Sequence, residues 1–173
     1  MPEANHTIDE LIDDLERAYD GDPWHGPSLA TVLNGVDAQR AATRPIARAH
    51  SIWELVLHMT SWTREVARRL RGASPAPPLE GDWPAVPQSV SDEDWKRALA
   101  TLAAANRDLV AAVGDSSPEQ LERRVGNTND PALGSGQTYG AMVRGLAQHH
   151  AYHGGQIILL RRASEFGSSP PSA

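Results

Sequence analysis

The sequence of 173 residues contains no cysteine, and this absence excludes disulfide bridges, thiolate metal sites and a cysteine nucleophile. Positive charge is in deficit as well, because 16 Lys and Arg against 22 Asp and Glu give a formal net charge of -6. Since binding to nucleic acid phosphates needs a basic surface, we expect no nucleic acid partner. One cluster of arginines is basic enough to suggest phosphate binding, but its helical spacing is typical of a solvated face: Arg64, Arg68, Arg69 and Arg71.

Long apolar runs are missing too. None approaches the roughly 20 residues that span a bilayer, and residues 1–9 are polar, unlike the apolar core of a signal peptide. We therefore expect a cytoplasmic protein with no membrane partner. Apolar residues make up 40% of the chain and charged residues 22%, as in ordinary globular proteins. This composition predicts a single domain over residues 1–166, followed by a disordered Ser/Pro-rich tail, residues 167–173.

Helical periodicity divides the domain into four long amphipathic segments. Three begin with capping patterns, namely Thr7 with Glu10, Ser51 with Glu54, and Ser91 with Asp94. The fourth runs from about residue 137 to residue 163. A brief extra helix is predicted over residues 27–33, a turn over 37–42, a long proline-rich crossover loop over 73–88 and an irregular connection over 126–136. The pattern predicts an all-α four-helix bundle with a short extra helix and one long crossover loop.

The last long segment contains QHHAYHGGQI, residues 148–157, which holds three of the seven histidines. His149 follows Leu146 by three positions and precedes His153 by four and Gln156 by seven. Residues at these spacings share one face of a helix, so the inward apolar stripe becomes polar for two turns. His150 is turned about 100° away from His149. The sequence therefore separates His150 from the inward pair.

A third inward histidine lies on the second long segment, where His58 follows Leu55 by three positions. Two imidazoles at i and i+4 can hold one metal ion from a single helix, and a third from a facing helix completes the set. Imidazole suits zinc, nickel, copper or iron, so the ligands do not select the metal. The alternative is that these histidines are hydrogen-bonded core residues, and spacing alone does not decide between the two interpretations.

Three stretches in order resemble the DinB-like (YfiT-like) family of metal-dependent proteins: GDPWHGPSL, HSIWELVLHMTSW and HHAYHGGQIILLR. The similarity runs from about Thr7 to Arg162. The resemblance implies a four-helix bundle and a metal triad of one His on the second long helix and an H-x-x-x-H pair on the last, which match His58, His149 and His153. It implies one divalent ion per chain, such as zinc, nickel, iron or manganese, and a homodimer.

The resemblance also implies chemistry, because characterised relatives include S-transferases and isomerases in which a divalent metal activates a low-molecular-weight thiol. Hydrolysis with activated water is a second option, and a non-catalytic metal- or ligand-binding module related to stress is the alternative. Peptide hydrolysis is disfavoured, since His150 stands where an H-E-x-x-H protease carries its glutamate base. The expected partner is a small-molecule substrate.

Several other residues have two interpretations each. Gln156 is a candidate catalytic residue that contacts a metal-bound water or an imidazole ligand, or it is a helix-packing amide. His25 is a candidate substrate-binding or acid/base group, or it anchors its loop. Gly154 and Gly155 indicate either close helix packing or room for a ligand. Tyr152 is predicted at the surface or in a dimer contact.

Overall fold

The chain is predominantly helical in the part that the computed structural model describes, residues 7–127 and 130–166. The tail predicted for residues 167–173 lies outside these described residues. Apart from one 3-10 turn and one isolated bridge between Arg124 and Thr138, the regular elements within these ranges are seven helices. They are α1 (Ile8–Tyr19), α2 (Leu29–Leu33), α3 (Ala38–Ala42), α4 (Ile52–Leu70), α5 (Asp92–Gly114), α6 (Pro118–Glu122) and α7 (Tyr139–Phe166).

The four long helices pack as a ring. Helices α1 and α4 each contact both α5 and α7, so α1 lies diagonally opposite α4. Residues 71–91 form the crossover between α4 and α5. The predicted all-α bundle with one long crossover is confirmed. No helix in the described residues is long and apolar enough to cross a membrane.

The structure contains more short helices than the periodicity predicts. Helix α2 lies where the extra helix was predicted. The segment at residues 37–42, expected to be a turn, forms helix α3, because the Asp37 side chain accepts the Arg40 N–H and caps the start of the helix. Helix α6 is an addition, capped by Ser117 with Pro118 in its first turn. Helix α7 runs three residues beyond the predicted end at residue 163.

The predicted helix caps form, with one difference. Thr7 with Glu10 and Ser51 with Glu54 make full capping boxes. At α5, the Ser91 hydroxyl accepts the Asp94 N–H but donates to the Asp94 carboxylate. Aspartate is one methylene shorter than glutamate, and its carboxylate meets the hydroxyl instead of the cap backbone N–H. The third box is therefore only half formed.

Two apolar clusters fill the bundle, and a polar layer separates them. On α4, the buried part of one cluster ends at Met59 and that of the other begins at Val66. On α7, which runs in the opposite order, the cluster that contains Val66 ends at Ala147 and the cluster that contains Met59 begins at Ile157. Buried histidines and hydroxyl residues lie at this level instead of leucines: His58, directly before Met59, with Thr60, Ser61 and Thr63 on α4, and His150 and His153 on α7. The predicted polar interruption of α7 thus has a counterpart on α4.

A buried ion pair on α4 anchors two irregular segments. The Arg69 Nε donates to the Glu65 carboxylate at 2.6 Å, and the same guanidinium donates to the carbonyls of Ala76 and Leu133 at 3.0 and 2.7 Å. Burial opposes ionisation of Glu65, but hydrogen bonds from Arg68 and Arg69 outweigh it and lower the pKa of Glu65. The pair thereby fastens the start of the crossover loop to the bundle.

We predict that Glu65→Ala lowers the free energy of unfolding by about 3–5 kcal/mol, because it leaves the Arg69 guanidinium buried without its carboxylate. Urea unfolding followed by circular dichroism measures this change. Arg97→Ala is the matched control, since Arg97 is an exposed partner of Glu93 and Asp94 and should cost no more than about 1 kcal/mol. Equal losses in the two variants would contradict the anchoring role of the buried pair.

Candidate metal centre

His58 contributes one imidazole from the middle of α4. Its ring is buried, and its Nδ1 lies 2.7 Å from the carbonyl oxygen of Asp82 in the crossover loop. A carbonyl oxygen can only accept, so Nδ1 carries the proton and donates it. The Asp82 carboxylate lies 3.2 Å from the same nitrogen. The Nε2 of His58 is therefore left with a free lone pair that points into the bundle.

Helix α7 contributes two further imidazoles, one turn apart. The Nδ1 of the buried His153 lies 2.6 Å from the Gln156 side-chain oxygen, to which it donates. This bond places the proton on Nδ1 and leaves the lone pair on Nε2, as at His58. Of the two sequence interpretations of Gln156, the structure supports the contact with an imidazole.

The three rings meet at their Nε2 atoms. The His149 Nε2 lies 3.0 Å from that of His58 and 2.9 Å from that of His153. Because the protons of His58 and His153 are held at Nδ1, their Nε2 lone pairs face the ring of His149. The His149 Nδ1 is buried without a hydrogen-bond partner. A cation among the three nitrogens would satisfy all three lone pairs at once, with the tautomers that metal coordination requires.

Burial keeps these imidazoles neutral. It lowers the pKa of His149 to about 3, assisted by repulsion from the protonated forms of His153, His150 and His58. Burial also lowers the pKa of His58 and that of His153. A neutral imidazole is the form that binds a metal ion. The group is therefore ready to coordinate a cation at neutral pH.

His150 belongs to the same polar layer but not to this group. Its ring is fully buried, and its Nε2 lies 3.1 Å from the Thr63 hydroxyl. That hydroxyl donates its own proton to the Met59 carbonyl, so it accepts from the His150 Nε2. Burial lowers the pKa of His150 to about 4, with a smaller contribution from His153. His150 therefore hydrogen-bonds to Thr63 and not to the three converging nitrogens, but its ring also faces the bundle interior, where the sequence placed only His149 and His153.

The structure does not bring His25 to the three-histidine group. His25 is exposed in the loop between α1 and α2, and it lines a groove together with Trp24, Arg144 and Gln148. On α7 these groove residues lie on the opposite side of the helix from His149 and His153. A role for His25 at the three-histidine group stays a prediction without geometric support.

The two glycines after His153 lack the tight packing that usually explains helical glycine. A Cβ atom at Gly154 would lie 4.0 Å from Val32, an ordinary contact, and at Gly155 it would meet nothing within 4 Å. Gly155 is exposed. Close packing within the described chain therefore does not account for either glycine.

The crossover loop supplies neighbours that helical periodicity did not reveal. Asp82 bonds to His58 and also accepts the Trp62 indole N–H at 2.6 Å, and the adjacent Trp83 stacks on the His58 ring. His50 stacks on the other face of Trp83. The only sequence signal was a Trp beside an Asp in a proline-rich loop, and a loop has no periodicity from which a partner can be inferred.

Comparison with known families gives one result. The model of the DinB superfamily matches residues 24–157, a range that includes all three converging histidines. No curated protein and no solved structure matches the chain. The matched range therefore contains the whole group of converging histidines.

Proposed function

This chain belongs to the DinB superfamily, and we propose that it binds one divalent metal ion through His58, His149 and His153. We further propose that the ion serves an enzyme that activates a low-molecular-weight thiol, or a water molecule, for S-transfer or hydrolysis. The observation that carries the metal site is the convergence of three Nε2 atoms on one point, with two of the opposite nitrogens bonded to acceptors.

The chemistry of this ligand set favours activation of a nucleophile. Three neutral imidazoles add no negative charge, so a bound zinc, nickel, iron or manganese ion would keep its full +2 charge and lower the pKa of a thiol or water at an open position. The chain's own residues orient the ligands: Asp82 holds His58 and Gln156 holds His153. We therefore assign Gln156 a role in positioning a ligand instead of contact with the substrate.

The alternative function is a metal-binding module without catalysis, and one observation favours it. His25, the separate acid/base group that the sequence suggested, lies on the other side of α7. An enzyme of the proposed type would then depend on the metal-bound nucleophile itself for its reactivity. Turnover, not metal content, separates the two functions.

We predict that the untagged protein binds about one divalent ion per chain and that His153→Ala lowers the affinity by more than about 100-fold. Loss of a ligand should exceed the ~10–100-fold cost of losing an outer contact. The His150→Ala variant should keep the ion, because the His150 Nε2 faces Thr63 and not the converging nitrogens. Competition with a chromophoric chelator measures the affinities, and inductively coupled plasma mass spectrometry measures the metal content.

Thermal unfolding of the metal-free variants is the control, because both histidines are buried and either substitution can cost stability. Loss of the ion in a folded His150→Ala protein together with its retention in His153→Ala would overturn the ligand assignment.

We predict thiol-dependent turnover of an electrophile that a chelator abolishes and that added zinc, nickel or manganese restores. The physical reason is that the thiolate form, stabilised by a cation, is the nucleophile. The assay combines glutathione, mycothiol, bacillithiol or cysteine with epoxides, haloaromatic compounds and maleyl compounds, and a parallel assay follows hydrolysis without thiol. Fully metallated protein that turns over nothing in this panel would favour the binding module.

We also propose a homodimer, on the family resemblance and because two-fold dimers are the commonest oligomers. The outer face of α7 supports this with two large exposed side chains two turns apart, Tyr152 at 64% and Leu159 at 58% exposure. The exposed Gly155 lies between them on the same face and leaves room for a neighbouring helix. The groove that contains His25 lies beside this face.

We predict a dimer mass in light scattering at micromolar concentration. Leu159→Glu should shift it to a monomer, because a buried unpaired carboxylate opposes association. Leu79→Glu is the control, since Leu79 is an equally apolar, exposed residue in the crossover loop. A monomeric wild-type protein would contradict the proposed dimer without affecting the metal site.

A further inference from the structure

Trp83 occupies an unusual position between two histidines. Its ring stacks on that of His58 with centroids 4.0 Å apart and planes 10° apart, and on that of His50 with centroids 3.6 Å apart and planes 5° apart. Its edge faces His153, with ring centroids 6.4 Å apart. Trp83 is still 38% exposed, so burial alone does not explain its placement. Both faces of the indole are occupied by imidazoles.

The backbone on the N-terminal side of Trp83 is fixed independently of the indole. The Ser61 hydroxyl donates to the Gly81 carbonyl at 2.6 Å, and Asp82 bonds to both His58 and Trp62. Gly81 adopts a φ of 87°, which glycine reaches without strain, and it closes a turn back to the Pro78 carbonyl. A substitution of Trp83 should therefore leave the loop on α4 and remove only the stacked ring.

The stack also distinguishes the empty site from the loaded one. A metal ion withdraws electron density from an imidazole ligand, and the face of an indole attracts positive charge. Contact between Trp83 and His58 is thus stronger when His58 is a ligand than when its ring is neutral and free. Any contact that is stronger in the bound state raises affinity for the ion.

We propose that Trp83 is a positioning residue for His58, held by His50 on its outer face, and that it raises metal affinity through the stacked indole. This inference rests on the proposed metal site. His50 holds the indole parallel to the His58 ring, and the His50 Nδ1 lies 3.6 Å from the Glu54 carboxylate at the start of α4. The loop thereby contributes an aromatic wall to the site in addition to the Asp82 carbonyl.

Two substitutions separate the indole's electrostatics from its bulk. Trp83→Leu keeps an apolar side chain without a π face. We expect it to weaken zinc binding by about 10-fold or more, which is the usual cost of removing a residue that contacts a metal ligand. Trp83→Phe retains a weaker π face and should fall between Leu and wild type. Trp24→Leu is the control, because Trp24 is fully exposed in the groove that contains His25 and should leave the affinity unchanged.

Zinc affinity is measured on the full chain by chelator competition, and the ligand geometry by the visible absorption spectrum of the cobalt(II) form. We expect the wild-type protein to bind zinc most tightly, Trp83→Phe less tightly and Trp83→Leu least tightly. The cobalt spectrum of Trp83→Leu should differ from that of the wild type. The helicity of the metal-free proteins should be unchanged. His50→Ala should shift both readouts in the same direction and by less.

Trp83→Leu with wild-type affinity and a wild-type cobalt spectrum would overturn the positioning role while leaving the metal site intact. A wild-type protein that binds neither ion would instead refute the proposed function itself, and the inference with it. If Trp83→Leu does not fold, Trp83→Phe and His50→Ala give the decision by the same two measurements.

Discussion

The hydrogen bond from the His58 Nδ1 to the Asp82 carbonyl joins the helical bundle to its longest loop, and the candidate site depends on this contact. It fixes the tautomer of His58, directs the lone pair of Nε2 toward α7 and brings Trp83 against the imidazole. The loop reaches this position because α4 holds it at several points, from the Arg69 guanidinium at Ala76 to the Ser61 hydroxyl at Gly81. The polar side chains on one face of α4 thus bind the loop.

This arrangement has a cost in stability. A bundle of this kind would gain most from apolar residues at the level of His58 and His149, and the chain instead buries imidazoles there. The Nδ1 atoms of His149 and His150 have no hydrogen-bond partner, although most buried polar atoms in proteins do. Sites where packing rules are broken are commonly functional. Two apolar clusters, one on each side of the layer, maintain the fold around it.

Much of the fold could be predicted from local pattern. The four long helices follow from 3.6-residue periodicity and from caps such as Thr7 and Ser51, because both signals lie within a few residues of each other in the sequence. The i, i+4 relation of His149 and His153 is equally local. Helix α3 was predicted as a turn and helix α6 was not predicted, since a helix of five residues leaves little periodicity, although α2 of equal length was predicted. The family resemblance was correct and is confirmed by the match to the DinB superfamily.

The sequence by itself therefore determined the helices, the polar interruption of α7 and the shared face of His149 and His153, because each is a property of neighbouring residues on one helix. Tertiary structure decided which groups surround the three nitrogens. It placed Asp82 and Trp83 beside His58 and left His25 on the far side of α7. A loop follows no periodicity, and its course is set by hydrogen bonds to side chains such as Ser61 and Arg69. Those contacts exist only once the loop has folded back onto α4.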